Sequence, residues 1–166
     1  MRTLRANSTL TLTATVLAAV LVVANISSLN VALPELSREL GASQSDVQWM
    51  VDIYAFFLAS LLLPAGALGD KFGRRPMLLL GVTILCIANI ATLFTEHLDF
   101  IESNEAKLVI AFRALSGFGA AFIFPATLST ITTTLPHEKK ERGVAIWTAS
   151  VSVSYTHLRA HETCPY

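Results

Sequence analysis

Asn25, Asp52 and Arg113 are polar side chains set within the apolar runs of this sequence. Asp52 and Arg113 each lie about six residues inside the start of their runs, which is ~9 Å along a helix axis. Asn25 lies about eight residues from the end of its run, in the same layer if the chain crosses back and forth. A buried carboxyl is driven toward its neutral form, and a nearby guanidinium drives it back toward the charged form. A carboxylate whose separation from an arginine changes is therefore a means of taking up and releasing a proton. The plainer alternatives are a helix-capping or snorkelling carboxylate for Asp52 and a structural ion pair for Arg113.

A second group is Gly66-Ala67-Leu68-Gly69-Asp70-Lys71-Phe72-Gly73-Arg74-Arg75, between two long apolar runs. A loop that only sets topology needs charge but no paired glycines. Gly69 and Gly73 allow close approach or a positive φ, so this turn is expected to hold Asp70 and Arg74 in a defined geometry.

The elements that must position these groups are long and apolar. The chain has 166 residues, 53% apolar and 14% charged, against about 25% charged in ordinary soluble domains. A hydrocarbon core of ~30 Å takes about 20 helical residues, and four runs have that scale: 9–33, 47–68, 77–94 and 108–135. Pro34 should not continue the first helix cleanly. Ser43 or Ser45 can cap the second, and Trp49 and Tyr54 suit an interface. Pro76 opens the third, where its missing N–H costs nothing. Pro125 is a candidate kink in the fourth. A fifth run starts at Gly143 and fails after about ten residues, because Arg159 and Glu162 are costly at membrane depth. Residues 154–166 read as a polar tail foreign to the fold.

Twelve basic residues balance twelve acidic ones, so net charge points to no nucleic-acid partner. Their placement is uneven. Arg2, Arg5, Lys71, Arg74, Arg75, Lys139, Lys140 and Arg142 fall on one side; Arg38 and Lys107 fall on the other. The positive-inside rule then puts the N-terminus and the 70–75 turn in the cytoplasm. The first apolar run is too long for the core of a cleaved signal peptide. Cys86 and Cys164 lie in unlike settings and suggest no bridge. His97, His137, His157 and His161 show no metal spacing on a helix, so neither a metal nor an enzyme is indicated.

The 66–75 segment resembles the loop motif of the major facilitator superfamily, through Gly66, Leu68, Asp70, Gly73, Arg74 and Arg75, with Lys71 for the motif's arginine. Asn30-Val31-Ala32-Leu33-Pro34, Gln48-Trp49-Met50-Val51-Asp52-Ile53-Tyr54 and Arg113-Ala114-Leu115-Ser116-Gly117-Phe118-Gly119 resemble segments of its drug:proton antiporters, especially the fourteen-helix, quaternary-ammonium efflux branch. Two positions depart: Asn25 stands where that family usually has Asp, and Ser116 where it has Gln. The resemblance implies an all-α membrane fold, here an incomplete N-terminal half with four full helices and a truncated fifth. It implies multi-pass insertion in the cell membrane and transport by alternating access, driven by a proton gradient with no cofactor. Substrates would be lipophilic or cationic small molecules; protons and the bilayer are the other partners. The stretch alone is expected to insert without transporting. Asn25, Asp52 and Arg113 would line the proton and substrate cavity. Gly66, Asp70, Gly73, Arg74 and Arg75 would form a latch with Glu138 or Glu141. A metabolite carrier of the same fold, and a non-transporting anchor or sensor, are the other readings; fold alone does not choose a substrate. Gly117, Gly119, Ala120, Ala121 and Ala126 suit close helix packing in lipid. Phe56, Phe57, Phe118, Phe122 and Phe124 suit either packing or a cavity wall.

Overall fold

The computed structural model describes residues 8–39, 41–95 and 105–162. The basic N-terminal Arg2 and Arg5, the loop residues His97 and Glu102, and Cys164 lie outside the described residues. Five helices follow in order: α1 (Ser8–Glu39), α2 (Gln44–Phe72), α3 (Arg74–Leu93), α4 (Glu105–Thr134) and α5 (His137–Glu162). The first four contain stretches long and apolar enough to cross a membrane. Helices suit such a sequence because lipid offers backbone N–H and C=O groups no partners, so each segment must satisfy its own.

α1 and α2 overrun their apolar runs at both ends, whereas α3 and α4 start before their runs and end at Leu93 and Thr134, just short of the run ends. Pro34 lies inside α1, which ends at Glu39 rather than at the proline. Gly41 then turns the chain with φ +55°. Ser43 caps α2 reciprocally: its hydroxyl accepts from the Asp46 N–H, and the Asp46 carboxylate accepts from the Ser43 N–H. α5 starts at His137, not Gly143, and its backbone stays helical to Glu162. Charge at Arg159 and Glu162 disqualifies a membrane span but not a helix, since Leu, Arg, Ala and Glu are good helix formers. The sequence pattern expects a fifth helix interrupted after about ten residues; the apolar run does fail there, but the helical backbone does not.

α4 is the centre of the bundle. It touches all four other helices, most extensively α2 and α3, while α5 leans mainly on α1. Glycines bring the backbones together. A β-carbon on Gly81 of α3 would lie 2.7 Å from the Gly119 carbonyl oxygen, and one on Gly119 would lie 2.8 Å from that of Gly81. One on Gly117 would lie 2.5 Å from the Tyr54 carbonyl oxygen of α2. Small residues let dispersion act over a long contact where lipid supplies no hydrophobic drive. Val22, Tyr54, Leu85, Ala120 and Ile123 fill the space so defined, and Leu29, Met50 and Val109 form a second cluster. Leu63, Leu79, Ile87 and Phe56 are exposed on the outer faces, as lipid-facing side chains must be. Cys86 is a free thiol on the same kind of face.

Candidate functional site

Two polar clusters stand at opposite ends of the bundle. The first is built on Arg113, which projects from α4 and is only 5% exposed. Its Nη1 donates to Asn25 Oδ1 of α1 at 2.9 Å and to the Asn25 carbonyl at 3.3 Å. Its Nε donates to the Met50 carbonyl of α2 at 3.4 Å. The guanidinium carbon lies 4.6 Å from the Tyr54 ring centroid, where the negative face of the π system attracts it. Asn25 is itself held, because its Nδ2 donates to Asn89 Oδ1 of α3. Asn89 Nδ2 donates in turn to the Leu85 carbonyl at 2.8 Å. One arginine thus gathers α1, α2, α3 and α4 through neutral acceptors.

Asn25 and Arg113 meet at matched depth, as their positions along the runs predict. Asp52 does not join them. It is exposed, and it makes no ion pair among the described residues, where the pair of Arg74 and Asp70 is the one formed. The reason is azimuth. Met50, whose carbonyl meets Arg113, is buried; Asp52 is two residues on, about 200° around the helix. Counting residues gives depth, whereas packing gives direction. Tyr54 is a second correction: it is 2% exposed and lies under Arg113, whereas Trp49 is exposed. Asn89 was absent from the sequence reading, although an amide inside an apolar span requires a partner and could have been flagged on that ground.

The second cluster sits where α2 gives way to α3. Only Gly73 separates the helices, so Asp70 and Lys71 are helical rather than part of the expected turn. Gly73 has φ +99°, a conformation L-residues rarely adopt, and its N–H donates to the Gly69 carbonyl at 3.0 Å. Arg74 Nη2 reaches Asp70 Oδ1 at 3.3 Å, and its Nη1 reaches the Ser129 carbonyl of α4 at 3.1 Å. A cleft of about 840 Å³ opens beside them, lined by Asp70, Arg74, Arg75, Thr15, Thr130 and other residues of α1 to α4.

The expected latch is therefore only partly assembled. Asp70 and Arg74 pair, but Glu138 and Glu141 are exposed at the start of α5 and form no ion pair with them. Arg74 spends its second nitrogen on a backbone carbonyl of α4, a partner no sequence pattern announces. A β-carbon on Gly66 would meet Pro125 at an ordinary 3.7 Å, and one on Gly69 would meet nothing within 4 Å. Close approach at Gly69 is thus corrected, while positive φ at Gly73 stands. The phenylalanines form separate pairs, not one wall: Phe56 with Phe57, Phe118 with Phe122, and Phe124 with Trp147.

A helix break bearing this motif, joining two spans of an all-α bundle, is the arrangement the motif residues imply. Residues 15–156 match the family model of the Major Facilitator Superfamily. The chain belongs to that superfamily. Among known superfamily proteins it is 40% identical over 141 residues to the methyl viologen resistance protein SmvA of Salmonella typhimurium, covering 84% of this chain and 27% of that protein. It is 32% identical over 131 residues to the methylenomycin A resistance protein of Bacillus subtilis, covering 78% of this chain and 26% of that one. It is 31% identical over 144 residues to the tetracenomycin C resistance and export protein of Streptomyces glaucescens, covering 87% and 25%. The chain spans about a quarter of the length of these relatives. As a superfamily member with four helices long and apolar enough to cross a membrane, it is a multi-pass membrane protein.

Proposed function

We propose that this chain forms part of the helical bundle of a proton-coupled exporter of lipophilic small molecules, cations among them, that works by alternating access in the cell membrane. The observation that carries the reading is the Gly73 break with its Asp70–Arg74 pair, set within a superfamily match. The names of the relatives, which speak of resistance and export, supply the direction. Nothing in this role calls for covalent chemistry or a cofactor. The N-terminus and the α2–α3 break lie in the cytoplasm in this proposal, on the charge distribution. Cysteines placed at Lys71 and Glu102 test it: an impermeant reagent added outside should label position 102 and spare position 71.

Asp52 is the proposed proton-binding carboxylate. It lies deeper inside a spanning helix than any other acidic residue of the described chain. It faces away from Arg113, so in a full-length transporter its partners belong to helices beyond this stretch. Glu138 and Glu141 are proposed to close onto the Asp70–Arg74 pair in a different conformational state. Asp52→Asn in a full-length transporter carrying these residues should abolish efflux driven by a pH gradient while leaving insertion intact. Normal pumping by that variant would place coupling elsewhere.

A further inference from the structure

Among the described residues, Arg113 is a buried cation without an anion. Every group that accepts from it is neutral: the Asn25 side chain and carbonyl, and the Met50 carbonyl. A guanidinium offers five N–H donors on three nitrogens. Nε and Nη1 have acceptors, and Nη2 has none among the described residues. Nor is Nη2 closed off. Among the described residues, the side-chain nitrogen or oxygen that is both sealed and unpartnered is Trp147 Nε1, on α5. One edge of the guanidinium is therefore unused and reachable.

Position 25 cannot supply the missing charge, and α3 holds it to that. Asn89 directs its amide nitrogen to the Leu85 carbonyl, which turns its oxygen toward Asn25. Asn25 must then offer its nitrogen to Asn89 and its oxygen to Arg113. A carboxylate at position 25 would set one oxygen against the oxygen of Asn89. The two amides are a matched pair that keeps the arginine on a neutral acceptor. An ion left unpaired at membrane depth is costly, and such groups face one another or a water-filled path.

We propose that Arg113 Nη2 binds a monovalent anion, either a halide or the carboxylate of an organic acid. The anion completes the charge that an acid at position 25 would have balanced. It would also let a cationic compound occupy the neighbouring space, a consequence that rests on the export function proposed above; the binding itself does not.

The test uses the 166-residue chain in nanodiscs of zwitterionic lipid. Its unfolding midpoint is measured at constant ionic strength in gluconate, and with chloride or benzoate replacing gluconate. A ligand that binds only the folded state raises the midpoint, here by about 3–6 °C for occupancy worth tenfold in stability. A rise with chloride alone supports a small-ion site, and a larger rise with benzoate supports an organic-acid site. Equal midpoints in the three salts overturn the proposal. Asn25→Asp brings its own anion, so its midpoint should not respond to the exchange. If Asn25→Asp keeps the whole wild-type shift, the anion binds elsewhere and the proposal also fails.

Discussion

Arg113 and Arg74 do opposite things with the same side chain. Arg113 is buried between helices and holds neutral acceptors on α1 and α2. Arg74 is partly exposed, with 31% of its side chain accessible, and pairs with an Asp70 that is 70% accessible. Among the described residues, ion pairing with a carboxylate thus occurs where water screens it, and is missing where the interior would magnify it. An exposed pair of this kind is worth ~0–1 kcal/mol, so it can break and re-form during a conformational change at little cost. Hydrogen bonds to a buried charged group are worth about 1.5–3 kcal/mol each when a partner is lost, so the Arg113 cluster acts as a fixed joint. One end of the bundle is held by buried hydrogen bonds and the other by an exposed, screened ion pair.

Three experiments break or sharpen that contrast. The largest effect should come from Gly117→Leu, one turn along α4 from Arg113. Its side chain would enter the α2 backbone at Tyr54, forcing apart the helices that the joint connects. We expect a loss of about 3 kcal/mol or more, seen as a collapse of the thermal unfolding midpoint. A wild-type midpoint would show that α2 and α4 do not touch there.

Next in size is Asn25→Leu, which strips Arg113 of its side-chain acceptor and should cost about 2 kcal/mol. Asn89→Leu should cost ~1 kcal/mol, because it only releases the amide that orients Asn25. If the two act through one network, the double variant should be less destabilised than the sum of the singles. Additive losses would separate Asn89 from the joint.

The smallest effect belongs to the α2–α3 break. Asp70→Asn should change stability by ~0.5 kcal/mol or less, and the change should shrink further in high salt. Arg74→Met should cost more than Asp70→Asn, since it also abandons the Ser129 carbonyl. Should Asp70→Asn prove as damaging as Asn25→Leu, the two ends would not differ in the way their burial implies.

The sequence by itself determined the class of the molecule. Runs of apolar residues about 20 long admit only helices in lipid, and the glycine-rich basic break named the superfamily. It also determined depth, because helical rise is constant: Asn25 and Arg113 were placed in one layer by counting, and they meet there. Azimuth was left to the tertiary structure. Which side of α2 faces inward depends on where Gly117 lets α4 press against Tyr54, and that contact buries Met50 and Tyr54 while turning Asp52 outward. Backbone partners were equally hidden, since every residue carries a carbonyl and nothing in the sequence marks Met50 or Ser129 as the ones an arginine will find. Partner choice depends on direction across a helix interface, and in an apolar bundle that direction is fixed by packing rather than by the pattern of residue types.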